Sequence, residues 1–247
     1  MDSPMVEKRS ERAPNVVEDA VVNEGYTPMV SSPELEFHVS NSIAVLMERG
    51  GPRAEAVGVL RGQIQSQHVR QGRRSLAVCA TQADVGCTLV AVNLAVALAQ
   101  VDMKVLLIDA DLRRPAVQDH IAPSAAVQGL LHYLQDDSLM PADVIQEGVL
   151  PNLDVLYGGG TGTSPQDLLA QTRFKNLIDD CLRDYDITII DTPPSNSSAD
   201  ARRIASVAGY AMIVVGKNKS YLHDIEVLTE ELRTDGTTTI GTVLVEG

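Results

Sequence analysis

The chain has 247 residues, of which 44% are apolar, so it is long enough to bury the core of one α/β domain with an additional tail. Its formal net charge of −13 and its content of only 3% aromatic residues argue against a nucleic-acid partner, because the charge repels phosphates and few rings can stack on bases. Three widely spaced cysteines, Cys79, Cys87 and Cys181, show no metal-ligand spacing and favour a reducing compartment. No apolar run reaches the roughly 18 residues that a membrane-spanning helix needs.

Three regions are predicted along the chain. Residues 1–31 mix charged residues with Pro, Asn and Gly without periodicity, which is typical of a disordered tail. Residues 32–74 are predicted to form a helical N-terminal segment, which ends in a basic run over residues 68–74. A solvated connector is the favoured interpretation of that basic run. Residues 75–247 are predicted to form an α/β domain.

Short apolar runs alternate with longer segments of helical pattern, which predicts a doubly wound, mainly parallel sheet with helices on both faces. The predicted strands cover residues 76–80, 105–108, 149–157, 187–191, 210–215 and 240–245. The predicted helices cover residues 33–48, 53–67, 89–100, 168–184, 198–208 and 224–234, and residues 115–148 are predicted to form helical pieces around a loop. Ligands bind at the carboxyl ends of such strands, where Thr81, Asp109 and Asp191 are expected to converge.

The tight polar segment over residues 81–88, with the sequence TQADVGCT, joins the first predicted strand of the domain to the following helix. Such folds bind anions at this position because the N–H groups of the helix N-terminus point there. The segment partly matches the phosphate-loop motif G-x-x-x-x-G-K-[ST], of which Gly86 and Thr88 are present. Cys87 replaces the lysine, and Asp84 replaces the glycine usually found two residues before Gly86. The loop is therefore a degenerate Walker A motif.

The blocks around this loop resemble, in order, those of the bacterial tyrosine kinases (BY-kinases) of capsule and exopolysaccharide export, which belong to the deviant P-loop ATPases. The matching blocks are NLA at 93–95, VLLIDADLRRP at 105–115, GL at 129–130, NLDVL at 152–156, PQDLL at 165–169 and YDITIIDTPP at 185–194. The resemblance covers residues 55–245 and implies a P-loop NTPase-like fold.

The resemblance also implies an ATP site with Mg²⁺. It implies that Asp109, Asp111 and Asp191 are catalytic acids, and that Thr88, Asp109 and Asp191 hold the metal. Gln82 stands where the deviant class has a second lysine, and Val245 where the family has an asparagine that reads adenine. Because these residues are replaced, the site is interpreted as vestigial, with weak or no ATP binding. Its phosphate loop would comprise Gln82, Asp84, Gly86, Cys87 and Thr88.

Two alternatives are open for Cys87. Its place in the first turn of a helix predicts a lowered pKa and a reactive thiol, an effect that the nearby charge of Asp84 opposes. The other alternative is an inert, buried cysteine.

The family forms rings through a helix with the pattern E-x-x-R-x-x-R, of which this chain keeps Glu55 and Arg61 but has Gly58 in the middle. A homo-oligomer through Glu55 and Arg61 is therefore possible but weakened. The resemblance further implies a membrane-anchored polysaccharide co-polymerase, or chain-length regulator, as partner, and a cytoplasmic location next to the inner membrane. No tyrosine follows Tyr221, whereas the family phosphorylates a C-terminal tyrosine cluster.

Three functions are compatible with this pattern. The favoured one is a pseudokinase of exopolysaccharide or capsule biosynthesis that acts by binding its partner. The second is an atypical protein-tyrosine kinase or ATPase of the same pathway that takes a cation from elsewhere, such as Arg113, Arg114 or a neighbouring subunit. The third is a structural α/β interaction domain in which Asp109, Asp111 and Asp191 only cap backbone groups.

Overall fold

The computed structural model of the chain describes residues 35–48 and 50–246. The tail predicted over residues 1–31 and the start of the helix predicted at residue 33 lie outside these residues. The strands are β1 Phe37–Val39, β2 Ser75–Ala80, β3 Val105–Asp109, β4 Ile121–Pro123, β5 Gln146–Leu150, β6 Leu153–Leu156, β7 Ile187–Asp191, β8 Tyr210–Gly216 and β9 Thr238–Val245. The α-helices are α1 Ala44–Met47, α2 Pro52–Gln67, α3 Cys87–Ala99, α4 Leu130–Gln135, α5 Pro141–Val144, α6 Pro165–Leu169, α7 Thr172–Asp184, α8 Asp200–Ala208 and α9 Leu222–Thr234.

The main sheet has seven strands in the order β5-β6-β3-β7-β2-β8-β9. Its pairs are parallel except for β5, which runs antiparallel to β6 at one edge. All residues of β2, β3 and β7 are buried, as expected for parallel strands that are covered on both faces. The predicted doubly wound, mainly parallel architecture is confirmed.

Alternate side chains of β2 enter two separate cores, because successive residues of a strand point to opposite faces. Leu76 and Val78 pack in the core that includes α2 and α3. Ala77 and Cys79 pack in the core that includes α7, α8 and α9. The alanine-rich helix α3 is buried from Ala91 to Ala99, so it lies close against the centre of the sheet and fixes the loop before it.

Most predicted elements are confirmed, with ends that differ by at most two residues. The helix predicted over residues 33–48 is wrong. Its middle forms β1, which pairs antiparallel with β4, and only α1 is helical. The Ser40 N–H also donates to the His120 carbonyl oxygen at 2.8 Å, so pairing with a distant segment outweighs local helix propensity.

Two further predictions need correction. The single strand predicted over residues 149–157 is a hairpin of β5 and β6, in which Asn152 has a φ of +63° and forms the turn. The helix predicted over residues 168–184 is divided into α6 and α7, because Gln171 is extended, with a ψ of 146°. The helical pieces predicted over residues 115–148 are present as α4 and α5, but β4 and most of β5 also lie there.

Among the described residues, no helix has both the length and the apolar character required to cross a bilayer.

Candidate functional site

The loop over residues 81–88 connects β2 to α3 and keeps the backbone form of an anion-binding loop. Asp84 and Gly86 have φ angles of +60° and +92°, and α3 begins at Cys87. Residues 83 and 84 form a turn, and the N–H groups of residues 82, 83, 84 and 86 donate no hydrogen bond to any other described residue. Successive free N–H groups before a helix N-terminus form a concave donor surface for an anion.

Cys87 occupies the position of the phosphate-loop lysine, and its side chain turns inward. Its Sγ donates a hydrogen bond to the carbonyl oxygen of Val78 in β2, at 3.2 Å. Burial, and next the negative charge of Asp191, raise the pKa of the Cys87 thiol well above its ordinary value. The lowered pKa expected for Cys87 is therefore wrong, and the structure favours the inert cysteine, although its side chain is only partly buried.

Asp109 and Asp191 end two neighbouring strands and are register partners. The Asp109 carboxylate accepts three backbone N–H groups: those of Ala116 and Val117 on Oδ2, at 2.9 and 3.0 Å, and that of Asp111 on Oδ1, at 3.2 Å. Burial nevertheless raises the pKa of Asp109 to about 7. The carboxylate thus fixes the loop after β3 while its charge is poorly solvated.

Asp191 has one oxygen bound and one free. Its Oδ2 accepts the hydroxyl hydrogen of Thr88 at 2.6 Å, whereas its buried Oδ1 has no hydrogen-bond partner among the described residues. Burial raises the pKa of Asp191 well above its ordinary value, and the charge of Asp109 raises it further. Thr88 and Asp191 therefore present a hydroxyl and an unpaired carboxylate oxygen side by side, a donor set that suits Mg²⁺.

Asp111 has a different role from these two acids. Its Oδ1 accepts the N–H groups of Arg113 and Arg114, at 3.0 and 2.9 Å, and so caps the turn that follows. The Nε of Arg113 in turn binds Oδ2 of Asp200, a carboxylate that is only 1% exposed, at 2.7 Å. These contacts support the structural interpretation for Asp111, and they engage Arg113, one of the cations considered for the site.

Lys219 was missed by sequence reasoning. Its Nζ donates to the main-chain oxygen of Asp84 at 2.8 Å, although 135 residues separate the two. Lys217 cannot take this role because its Nζ pairs with Glu246, at 2.7 Å. The signal was present in the sequence, since both lysines follow the predicted strand over residues 210–215, at the edge of the sheet where ligands bind.

Gln82 and Val245 lie at the two ends of the same loop region. The Nε2 of Gln82 donates to Oδ2 of Asp224 at 3.4 Å, so its amide is turned towards α9. A Cβ atom added at Gly86 would lie 3.5 Å from Cγ1 of Val245. The position expected to read adenine therefore carries a methyl group against the loop, where no hydrogen bond to a base can form.

The donor set fits Mg·ATP only in part. Thr88 and Asp191 fit the metal, and no cluster of three His, Cys, Asp or Glu side chains in residues 35–48 and 50–246 could hold an ion by itself. Magnesium would therefore take its remaining ligands from phosphate oxygens and water. The free N–H groups fit a phosphate, but the cation of the motif is absent from position 87, and Lys219 is the cation that contacts the loop.

The predicted oligomerisation residues lie on α2 at a shallow groove of about 520 Å³, which α3 also lines. Glu55, Gly58 and Arg61 all face this groove. A Cβ atom added at Gly58 would have no atom within 4 Å, and the buried Nε of Arg61 has no partner among the described residues.

Comparison with known proteins gives consistent matches. A family model described as an AAA domain matches residues 73–238. The tyrosine-protein kinase YwqD of Bacillus subtilis is 30% identical over 206 residues, which cover 83% of this chain and 86% of that protein. The putative tyrosine-protein kinase CapB of Staphylococcus aureus is 29% identical over 185 residues, 75% of this chain and 80% of that protein. The kinase domain of the Escherichia coli tyrosine kinase ETK superimposes with a TM-score of 0.75 at 26% identity, over 83% of this chain and 79% of that chain.

Proposed function

Because this chain belongs to the bacterial tyrosine kinase family, we propose that it is a degenerate, regulatory member of that family, a pseudokinase of exopolysaccharide or capsule biosynthesis or export. In this proposal it binds ATP weakly or not at all. It acts in the cytoplasm, next to the inner membrane, by binding a membrane-anchored co-polymerase or chain-length regulator.

The observation that carries the proposal is the environment of Cys87. The side chain at the lysine position is a neutral thiol that points to a carbonyl oxygen of β2, so it supplies no positive charge to a phosphate. A charge-assisted hydrogen bond is worth roughly 1.5–3 kcal/mol, so its loss weakens binding by about 10- to 150-fold. Its loss harms catalysis more, because positive charge on the transferred phosphoryl group provides most of the rate enhancement.

Asp84 adds to this loss. It places a formal negative charge where the motif has a glycine, at the side of the loop that polyphosphate would approach. The acids Asp109 and Asp191 remain, but three backbone N–H groups bind the first and Thr88 binds the second. Asp109 therefore fixes its own loop whether or not it assists a reaction, so its presence alone does not support catalysis.

Calorimetry on the full chain tests the proposal. Titration with ATP and with ADP, both in the presence of Mg²⁺, should give no saturable heat at micromolar ligand, and incubation with labelled ATP should give no phosphotyrosine. The kinase YwqD, assayed in parallel, is the positive control. A dissociation constant in the low micromolar range, or metal-dependent labelling of a tyrosine, would contradict the proposal.

The partner is tested separately. A membrane-anchored co-polymerase from the same organism, purified in detergent, should bind this chain with equal affinity whether Mg·ATP is present or absent. Failure of the co-polymerase to bind would contradict the regulatory role, whatever the nucleotide result.

The homo-oligomer through Glu55 and Arg61 is tested by a Gly58→Arg variant, which restores the family pattern on α2.

One observation favours the atypical kinase or ATPase as a second candidate. Lys219 lies 2.8 Å from the main chain of Asp84, beside the free N–H groups of the loop, and could replace the missing lysine. If Mg·ATP binds in the low micromolar range, Lys219→Met should abolish the binding. Lys217→Met, which removes a lysine that pairs with Glu246 instead, is the matched control and should leave the binding unchanged.

A further inference from the structure

A cleft of about 210 Å³ lies between α2 and β9. One wall is the stretch of β9 from Thr238 to Val243, and the other carries Leu60 and Ile64 of α2. The polar groups in the cleft come mainly from Gln63, Gln67, His68, Arg73 and Thr239. The basic run over residues 68–74 thus contributes to a built cleft, and its interpretation as a solvated connector is wrong for His68, which is only 1% exposed.

His68 carries a buried hydrogen-bond acceptor that nothing satisfies. Its Nε2 lies 2.9 Å from the Ser75 carbonyl oxygen, and since a carbonyl only accepts, Nε2 carries the hydrogen. The ring packs edge-on against Tyr210, with centroids 4.9 Å apart. The Nδ1 lone pair has no partner among the described residues. A buried polar atom without a partner is unusual in a native protein, and it belongs to a residue that lines the cleft.

Arg73 provides a cation in the same cleft. Its guanidinium lies 4.9 Å from the centroid of the Tyr210 ring, a contact that holds the side chain in place. Within residues 35–48 and 50–246, no carboxylate lies within ion-pair distance of it, although the chain as a whole is strongly acidic. Arg70 and Arg74 add local positive charge, and salt screens the more distant acids beyond about 8 Å.

The wall formed by β9 is an edge strand, whose outer backbone groups pair with no other strand of the sheet. The Val245 carbonyl oxygen accepts the Lys217 N–H, so the backbone groups of Val245 face β8. Since residues alternate along a strand, those of Thr242 and Leu244 face outward. A bulge at Ile240 interrupts the register before them, which leaves Gly241 to Val245 as the part of the edge that can pair.

We propose that β9 and this cleft bind an extended, acidic peptide segment of a partner protein. The peptide adds a strand beside Thr242 and Leu244. Its flank enters the cleft, where a carboxylate of the peptide binds Arg73. This mode combines backbone hydrogen bonds, which give affinity, with a contact to Arg73 that selects for negative charge. The inference uses no residue of the loop over residues 81–88, although β9 ends at Val245, which lies beside Gly86 of that loop.

The test uses a display library of random twelve-residue peptides, selected on the full chain. Selected peptides should be enriched in Asp and Glu and in alternating β-branched residues. Loss of a charge-assisted contact should weaken a selected peptide by about tenfold or more in Arg73→Ala. Arg70→Ala, an exposed arginine of the same run that does not line the cleft, is the matched control and should change affinity less than twofold.

Two further measurements separate strand addition from other modes. Thr242→Pro removes an outward N–H that β8 does not use, so it should abolish peptide binding while the fold is retained, as checked by circular dichroism. Hydrogen exchange on the wild-type chain should show that the peptide protects the N–H groups of Thr242 and Leu244, and this readout stands even if the proline variant unfolds. Selection of no acidic peptide, equal losses in the two arginine variants, or a dimer of this chain through β9 that excludes the peptide would each overturn the proposal.

Discussion

Repair of the phosphate loop is the most direct test of whether the loop is a degenerate ATP site. The perturbation is the double change Asp84→Gly with Cys87→Lys. Asp84 has a φ of +60°, a conformation that costs a residue with a Cβ roughly 1–2 kcal/mol and glycine almost nothing. The change to glycine removes a negative charge as well. Lys219 binds the main-chain oxygen of residue 84, so this contact is retained in the variant.

The magnitude follows from the surroundings of residue 87. A lysine there replaces a thiol that is bonded to Val78, and its ammonium group would find the buried carboxylate of Asp191 nearby. In the single variant Cys87→Lys, Asp191 and Asp84 both compete with a phosphate for the new cation. A charge-assisted contact contributes roughly 1.5–3 kcal/mol, so the double variant should bind Mg·ATP about 10- to 150-fold more tightly than the wild type. Each single change should give much less, because the two positions are coupled.

The assay is titration of a fluorescent ATP analogue into the wild type, both single variants and the double variant, each checked by circular dichroism. Adding Val245→Asn should increase the adenine contribution, since the valine methyl that lies beside Gly86 is replaced by a hydrogen-bonding group. If the folded triple variant binds no nucleotide, the reasoning is refuted, because the loss then lies in the shape of the pocket and not in its charges.

Three further predictions concern the acids. Burial raises the pKa of Asp109 from 3.8 to about 7, so the native state retains a proton that the unfolded chain releases. The stability that comes from this bound proton is lost as the pH rises from 3.8 to about 7. The unfolding free energy of Asp109→Asn minus that of the wild type should therefore rise by about 3 kcal/mol between pH 5 and 8, and a constant difference would contradict the shift. Thr88→Val leaves both oxygens of Asp191 without a partner and should destabilise the chain by about 1–3 kcal/mol in urea unfolding, whereas Thr88→Ser should be near neutral. Arg113→Ala should cost about 3 kcal/mol, because Asp200 is left as an uncompensated buried charge, and the added change Asp200→Ala should recover most of that loss; if it recovers none, the ion pair is not the cause.

Much of the sheet and of the acidic side of the site could be predicted from the sequence. Parallel strands buried on both faces are continuous apolar runs, and such runs are visible without any knowledge of the fold. The acids that end β3 and β7 could be placed together for the same reason, since parallel neighbours end at one edge of the sheet. The local sequence pattern determines these features, so they can be predicted without knowledge of distant contacts.

The features that depend on distant contacts could not be predicted. The segment that forms β1 has a helical pattern, and only its pairing with β4 makes it a strand. Lys219 contacts the loop although 135 residues separate it from Asp84. His68 lines a cleft together with β9, which lies at the other end of the domain sequence. The inward rotamer of Cys87 depends on a carbonyl oxygen of the preceding strand, which motif comparison does not consider.

The three N–H groups that donate to Asp109 bear on which residues are retained when such a site loses its function. A side chain that holds the backbone of its own loop is selected by folding, so it persists after the ligand has lost its importance. A phosphate-loop lysine has no such structural role, because it contacts only the ligand. In the proposed pseudokinase, the end of selection for the reaction would allow the lysine to be lost first, whereas the contacts of Asp109 with its own loop would keep that acid in place.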